Sequence, residues 1–174
     1  KADYVMNESG AGARIPARRG EIAGLPVTGF PEISMRGMRP WGGFGANPQP
    51  KFFGDQWNTF CDEYDGGYPY SEGIFEDINK AICAQFYWSP DKSAMETVRE
   101  YVAFEYSPEV AESVTAAIEV LERALPRVGH ATEPVSRFVI RNPSDVEEAY
   151  QRLQEADKQL SPYARQAWRW RILY

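Results

Sequence analysis

The sequence is poor in the side chains that most often bind metal ions. Its 174 residues include one histidine, His130, and two cysteines, Cys61 and Cys83. Paired-histidine zinc sites, cysteine-rich zinc ribbons and iron–sulfur centres all need more ligands than these. The composition therefore predicts no metal site and no cofactor. Catalysis by a nucleophile paired with histidine would depend on His130 alone.

Two further absences concern membranes and nucleic acids. No segment approaches the roughly 20 consecutive apolar residues of a membrane-spanning helix. The first ten residues, KADYVMNESG, lack the pattern of a signal peptide. Lysine and arginine total 19 against 25 acidic residues, which gives a formal charge of −6. Because binding to phosphates needs clustered basic residues, neither nucleic acid nor an anionic membrane is an expected partner.

Glycine is abundant, but only in the first part of the chain. Thirteen of the 14 glycines lie in residues 1–73. Such a composition favours loops and turns, and residues 65–73, DGGYPYSEG, are typical of a turn. Only residues 25–38 have the composition of a buried strand. A short helix is expected over residues 55–64.

The second part of the chain has the periodicity and the start signals of helices. Ile74, Ile78, Ile82 and Phe86 recur every four residues, which indicates one buried helical face. Serine residues stand where helices are expected to begin, three of them before a proline and one at capping-box spacing. They are Ser89, Ser107, Ser144 and Ser161.

These patterns predict a mainly α fold. We expect an irregular helical bundle with a long Gly-rich, loop-dominated N-terminal segment and little β structure. The change in composition divides the chain into a Gly- and aromatic-rich loop segment, residues 1–73, and a helical domain, residues 74–174.

Aromatic residues are concentrated between residues 41 and 88, which contain 13 of the 24 in the chain. Exposed aromatic rings stack on sugar rings, and neighbouring amides and carboxylates bind the sugar hydroxyls. Trp41 and Tyr70 lie in turn sequences and are candidates for stacking, with Asn47 as a hydrogen-bonding partner. The alternative is that these aromatics fill a core that Gly-rich loops cannot otherwise build.

Carboxylates are the only plentiful side chains of a catalytic type. Glycoside hydrolysis needs a pair of them, one acting as the acid and one as the base or nucleophile. Glu32 follows Phe30 and Pro31 near the end of the predicted strand, where barrel enzymes place catalytic groups, and Glu72 lies in the turn before a helix. Glu76 and Asp77 lie in the first turn of that helix, where acidic residues simply complement the helix dipole.

Arg36 is a candidate for binding the carboxylate of a uronic acid. The alternative is an ion pair between Arg36 and an acidic residue of the fold.

Three segments of the sequence resemble one protein family. They are PEISMRGMRPWGGFGANP (31–48), YPYSEGIFEDINKAICAQFYW (68–88) and SPEVAE (107–112). They resemble the C-terminal region of large bacterial glycoside-hydrolase-like proteins, relatives of the α-glucuronidase and hexosaminidase barrel enzymes. The resemblance covers residues 27–174. It implies the end of a catalytic barrel followed by a helical domain, in a piece of a longer bacterial protein located outside the cytoplasm.

The expected function is that of a carbohydrate-active protein, the C-terminal portion of a glycoside hydrolase that contributes to a sugar site. Its partners would be a carbohydrate and the remainder of a larger catalytic chain. The alternative is a non-catalytic helical interaction module whose aromatic window packs on another domain or partner. A concave surface with converging carboxylates would favour the first function, and a flat apolar surface would favour the second.

Overall fold

The computed structural model describes residues 2–8, 20–31, 33, 47–71, 74–128 and 137–174. Within these residues it contains seven α-helices and two small sheets, so the mainly α prediction is confirmed. The helices are α1 (Pro50–Phe60), α2 (Asp77–Trp88), α3 (Ala94–Glu105), α4 (Ala111–Ala124), α5 (Pro143–Gln159), α6 (Pro162–Gln166) and α7 (Trp168–Leu173). The strands are β1 (Val5–Glu8), β2 (Val27–Phe30), β3 (Gly66–Gly67), β4 (Arg127–Val128) and β5 (Arg137–Phe138).

The core lies mainly among helices α1 to α5 and also includes Ala164 of α6 and Trp170 of α7. Side chains with no exposed surface come from three successive helices, and α5 adds small residues that let it approach α4 closely. Burial of these aliphatic side chains is the main stabilising contribution to the bundle. The fully buried aliphatic residues of α2, α3 and α4 are Ile82, Val98, Val102, Val114, Ala117 and Ile118.

The predicted buried face of α2 is confirmed except at its first member. Ile78, Ile82 and Phe86 are buried. Ile74, in contrast, is 54% exposed. The reason is that α2 begins only at Asp77, so Ile74 precedes the helix and does not share its face.

The predicted helix start is confirmed at Ser161. At Ser107 a short 3-10 helix, Pro108–Val110, begins and leads into α4 at Ala111. The other two starts are shifted. Helix α3 begins after Ser93 rather than at Ser89, because Ser93 and Glu96 form a reciprocal capping box. Helix α5 begins at Pro143, and the side chain of Asn142 accepts the Ser144 backbone N–H at 3.3 Å.

Strands β1, β2 and β3 form a parallel sheet in that order. Strand β2 lies within the predicted strand at residues 25–38. The other two strands were not predicted, and the assignment of residues 65–73 to a turn is wrong for β3. Its two glycines have little strand propensity, but their backbone is held by flanking bonds. The Asp65 N–H donates to the Val27 carbonyl at 2.8 Å, and the Asp65 carboxylate accepts the Val27 N–H at 2.9 Å.

Strand β3 pairs with β2 residue for residue, Thr28 with Gly66 and Gly29 with Gly67. The N–H groups of Asp65 and Tyr68, which flank β3, donate to the carbonyls of Val27 and Gly29. This pairing places Gly67 against helix α2. A Cβ atom on Gly67 would lie 2.5 Å from Cε1 of Tyr87 and also against the Gly29 carbonyl. Glycine is therefore required at this position for steric reasons.

We expect Gly67→Ala to lower the free energy of unfolding by about 1–3 kcal/mol, because its methyl group would overpack the contact between β3 and α2. Chemical denaturation followed by circular dichroism measures this change. Gly66→Ala is the matched control, since no atom lies within 4 Å of a Cβ at Gly66. Its effect should stay below about 1 kcal/mol. Equal losses in the two variants would contradict the steric explanation.

Candidate functional site

The structure describes two of the six predicted site residues, Asn47 and Tyr70, both of them half-buried. The Asn47 carbonyl accepts the Asn79 side-chain N–H of α2 at 3.0 Å. Tyr70 extends the sheet, and its N–H donates to the Pro31 carbonyl at 2.8 Å. Asn47 and Tyr70 thus contact different elements. The other four lie outside the described part of the chain, as does His130: Glu32, Arg36, Trp41 and Glu72.

Three aromatic side chains meet at the carboxyl ends of β2 and β3. The ring of Phe30 lies 5.3 Å from that of Tyr68 and 5.4 Å from that of Tyr70, measured between centroids. Tyr68 is 47% exposed, and its hydroxyl contacts the sulfur of Met6 on β1. We call these three residues the aromatic edge. Open α/β sheets and barrels place ligand-binding groups at this end of their strands.

A buried carboxylate follows the aromatic edge along the chain. Glu76 is only 1% exposed and occupies the N-cap position of α2, but its side chain makes no capping hydrogen bond. Its Oε2 atom instead accepts the hydroxyl of Ser71 at 3.0 Å. Ser71 directly follows Tyr70, so the interaction ties the start of α2 to the end of the sheet. Complementing the helix dipole is therefore not the whole explanation of Glu76.

Asp77, the next residue, belongs to a separate polar cluster where α2, α3 and α7 meet. Its Oδ2 atom accepts the hydroxyl of Tyr101 at 2.5 Å and the Nε–H of Arg169 at 2.7 Å. Arg169 also lies 3.5 Å from the Glu105 carboxylate, and the hydroxyl of Tyr106 donates to the Arg169 carbonyl at 3.3 Å. The cluster fastens the C-terminal helix to the bundle.

Burial raises the pKa of the Tyr101 and Tyr106 hydroxyls, so both remain protonated donors at neutral pH. The hydrogen bond from Arg169 to Asp77 raises the pKa of the guanidinium. The adjoining cleft, walled by Phe75 and Trp168, has room for about one water molecule. With its charge paired and its cleft this small, Asp77 serves structure rather than catalysis.

The sequence alone could not identify this cluster, because Asp77 and Arg169 are 92 residues apart. The burial of Glu76 could not be predicted from the sequence either, since acidic residues are common at helix starts whether or not they are buried. The charge of Arg169 is balanced by its contacts with Asp77 and Glu105.

Cys61 and Cys83 are both free thiols. Cys83 is buried, and burial raises the pKa of its thiol, whereas Cys61 is only half-buried. In the described residues, no three histidine, cysteine or acidic side chains are grouped so that they could hold a metal ion. None of the helices in these residues has the length and apolar character to span a membrane.

Comparisons of the chain with protein-family models, with curated proteins and with solved structures gave no match in any of the three.

We expect Asp77→Asn to lower the free energy of unfolding by about 1–3 kcal/mol, because it removes the charge that Tyr101 and Arg169 share. Urea denaturation measures the change. Glu112→Gln is the control, since Glu112 pairs with Arg99 on the exposed surface. It should alter stability by no more than about 0.5 kcal/mol. A harmless Asp77→Asn substitution would show that the cluster does not hold the C-terminal helix.

Proposed function

We propose that the chain is a carbohydrate-active protein, the C-terminal portion of a glycoside hydrolase, whose sugar contacts come from the aromatic edge. The observation that carries this proposal is the position of Phe30, Tyr68 and Tyr70 at the carboxyl ends of two parallel strands. The half-exposed ring of Tyr68 packs on Phe30, which also contacts Tyr70, and so offers a fixed face for the C–H side of a sugar ring. The resemblance to glycoside-hydrolase-like proteins supports the same substrate class.

Sequence neighbours of the two predicted catalytic acids are hydrogen-bonded to each other just beyond the ends of β2 and β3. Pro31 and Ile33 flank Glu32 in the sequence, and both bond to Tyr70, at 2.8 Å and 3.0 Å. Tyr70 lies two positions before Glu72. This pairing supports a role for Glu32 and Glu72 as the acid and the base or nucleophile, since the reaction needs two carboxylates on opposite sides of one bond.

The proposal predicts measurable sugar binding by the aromatic edge. Titration with glucuronic acid and with N-acetylglucosamine, followed by NMR, should give a dissociation constant that Tyr68→Ala raises about tenfold. Tyr68→Phe keeps the ring and should bind nearly as well as the wild type. Tyr163→Ala is the matched control, because Tyr163 is 88% exposed on α6, away from the sheet. Equal effects of Tyr68→Ala and Tyr163→Ala would contradict the proposal.

Catalysis is tested separately, with the longest chain that contains this region. Replacing Glu32 and Glu72 together by glutamine should abolish hydrolysis of an aryl glucuronide or an aryl N-acetylglucosaminide, because glutamine neither transfers the proton nor attacks the sugar. Folding is checked by the thermal midpoint of the double variant. Unchanged turnover in a folded double variant would exclude both residues from catalysis.

A specific observation favours a second function, that of an interaction module. The outward face of the parallel sheet carries Tyr4, Met6 and Tyr68, each about half exposed, whereas Val27 on the other face is buried. Parallel sheets normally have both faces covered. If the wild-type chain binds neither sugar, this exposed apolar face makes an interface with another domain the better interpretation.

A further inference from the structure

The sulfur atom of Met6 is an oxidisable group in direct contact with the aromatic edge. Met6 lies on β1 and is 51% exposed, so an oxidant dissolved in water can reach its side chain. Its Sδ atom accepts the hydroxyl of Tyr68 at 2.6 Å. Met95, the other methionine in the part of the chain that the structure describes, is half-buried on α3. Of these two methionines, Met6 is therefore the one on which oxidation would act first.

The side chain of Tyr68 spans the middle strand of the sheet to reach this sulfur. Met6 is in register with Thr28, and Thr28 is in register with Gly66, so β2 lies between the two contacting residues. The ring of Tyr68 meets the ring of Phe30 edge-on, at 72°, while its hydroxyl is held by Met6. The position of the ring thus depends on the size and polarity of the sulfur group.

We propose that Met6 is a modification site, at which oxidation to methionine sulfoxide displaces the ring of Tyr68 and weakens sugar binding by the aromatic edge. This inference rests on the proposed function and adds regulation to its site. The oxidant is a peroxide. The sulfur lone pair attacks one peroxide oxygen, an S–O bond forms as the O–O bond breaks, and hydrogen peroxide is reduced to water while the sulfur loses two electrons.

Oxidation changes the contact with Tyr68 in two ways. The sulfoxide oxygen occupies space beside the sulfur, where the Tyr68 hydroxyl lies in the reduced chain. It is also a stronger hydrogen-bond acceptor than a thioether sulfur, which accepts only weakly. The hydroxyl follows the new acceptor, and the ring leaves its edge-on contact with Phe30. Methionine sulfoxide can be reduced enzymatically, so the change is reversible.

The decisive experiment compares sugar binding before and after treatment with hydrogen peroxide. The titrated sugar is whichever of glucuronic acid and N-acetylglucosamine the wild-type chain binds, and peptide mass spectrometry follows the conversion of Met6. Oxidation should raise the dissociation constant about fivefold. A chain that binds the sugar equally well after full conversion of Met6 would overturn the inference and leave the proposed function standing.

Met6→Leu is the matched control. Leucine has a similar volume and cannot be oxidised, whereas Met35, Met38 and Met95 stay available to the peroxide. The dissociation constant of this variant should be the same before and after treatment. A rise as large as that of the wild type would assign the effect to another methionine and overturn the role of Met6.

Tyr68→Phe tests whether the effect passes through the hydroxyl. This variant keeps the ring but cannot bond to the sulfoxide, so oxidation of Met6 should change its dissociation constant by less than about twofold. An oxidation effect equal to that of the wild type would contradict the displacement of Tyr68.

Two further readouts do not depend on the sugar. The NMR signals of the Tyr68 ring should shift on oxidation in the wild type and stay in place in Met6→Leu, and unmoved wild-type signals would overturn the inference. The thermal midpoint should remain close to that of the reduced chain, because Met6 lies on the surface. Unfolding on oxidation would contradict a local effect. If the untreated wild-type chain binds neither sugar, the proposed function is wrong and the regulation fails with it.

Discussion

The close approach of strand β3 to helix α2 at Gly67 is the constraint on which the rest of the arrangement depends. The pairing of β3 with β2 places Gly67 against Tyr87, and only the absence of a side chain permits the contact. This contact packs the parallel sheet on the helical core, where Trp57 stacks on Phe86 with centroids 5.4 Å apart. The aromatic edge can present its rings at fixed positions because its strands are held in this way.

The chain is acidic, and three of its partly or fully buried carboxylates differ in the partners that stabilise them. Glu122 accepts the backbone N–H groups of Lys51 and Phe52 at 2.8 Å each and so caps α1, although burial raises its pKa. Asp77 is neutralised by Arg169 and also accepts a tyrosine hydroxyl. Glu76 has a single partner. Glu122 and Asp77 are thus each stabilised by two partners within the fold, whereas the Glu76 carboxylate has only one.

Local signals in the sequence were sufficient to predict the helices but not the parallel sheet. Helix faces and caps depend on residues three or four positions apart, so Ile78, Ile82 and Ser161 could be interpreted correctly. Strand β3 consists of two glycines whose partners lie far away in the sequence, and no propensity predicts such a pairing. At the candidate site, the tyrosines were visible as a composition bias. The burial of Glu76 became apparent only from the packing around it.

The bond between Asp77 and Arg169 has a consequence for how the chain folds. It closes a loop of 92 residues, whereas the contacts among α2, α3 and α4 join consecutive helices. Loops of that length close late, after neighbouring helices have collapsed on one another. During synthesis, the apolar surfaces of α2 and α3 that later meet α7 therefore stay uncovered until Arg169 and Trp170 have left the ribosome. In that interval these uncovered apolar surfaces are the part of the growing chain most exposed to aggregation.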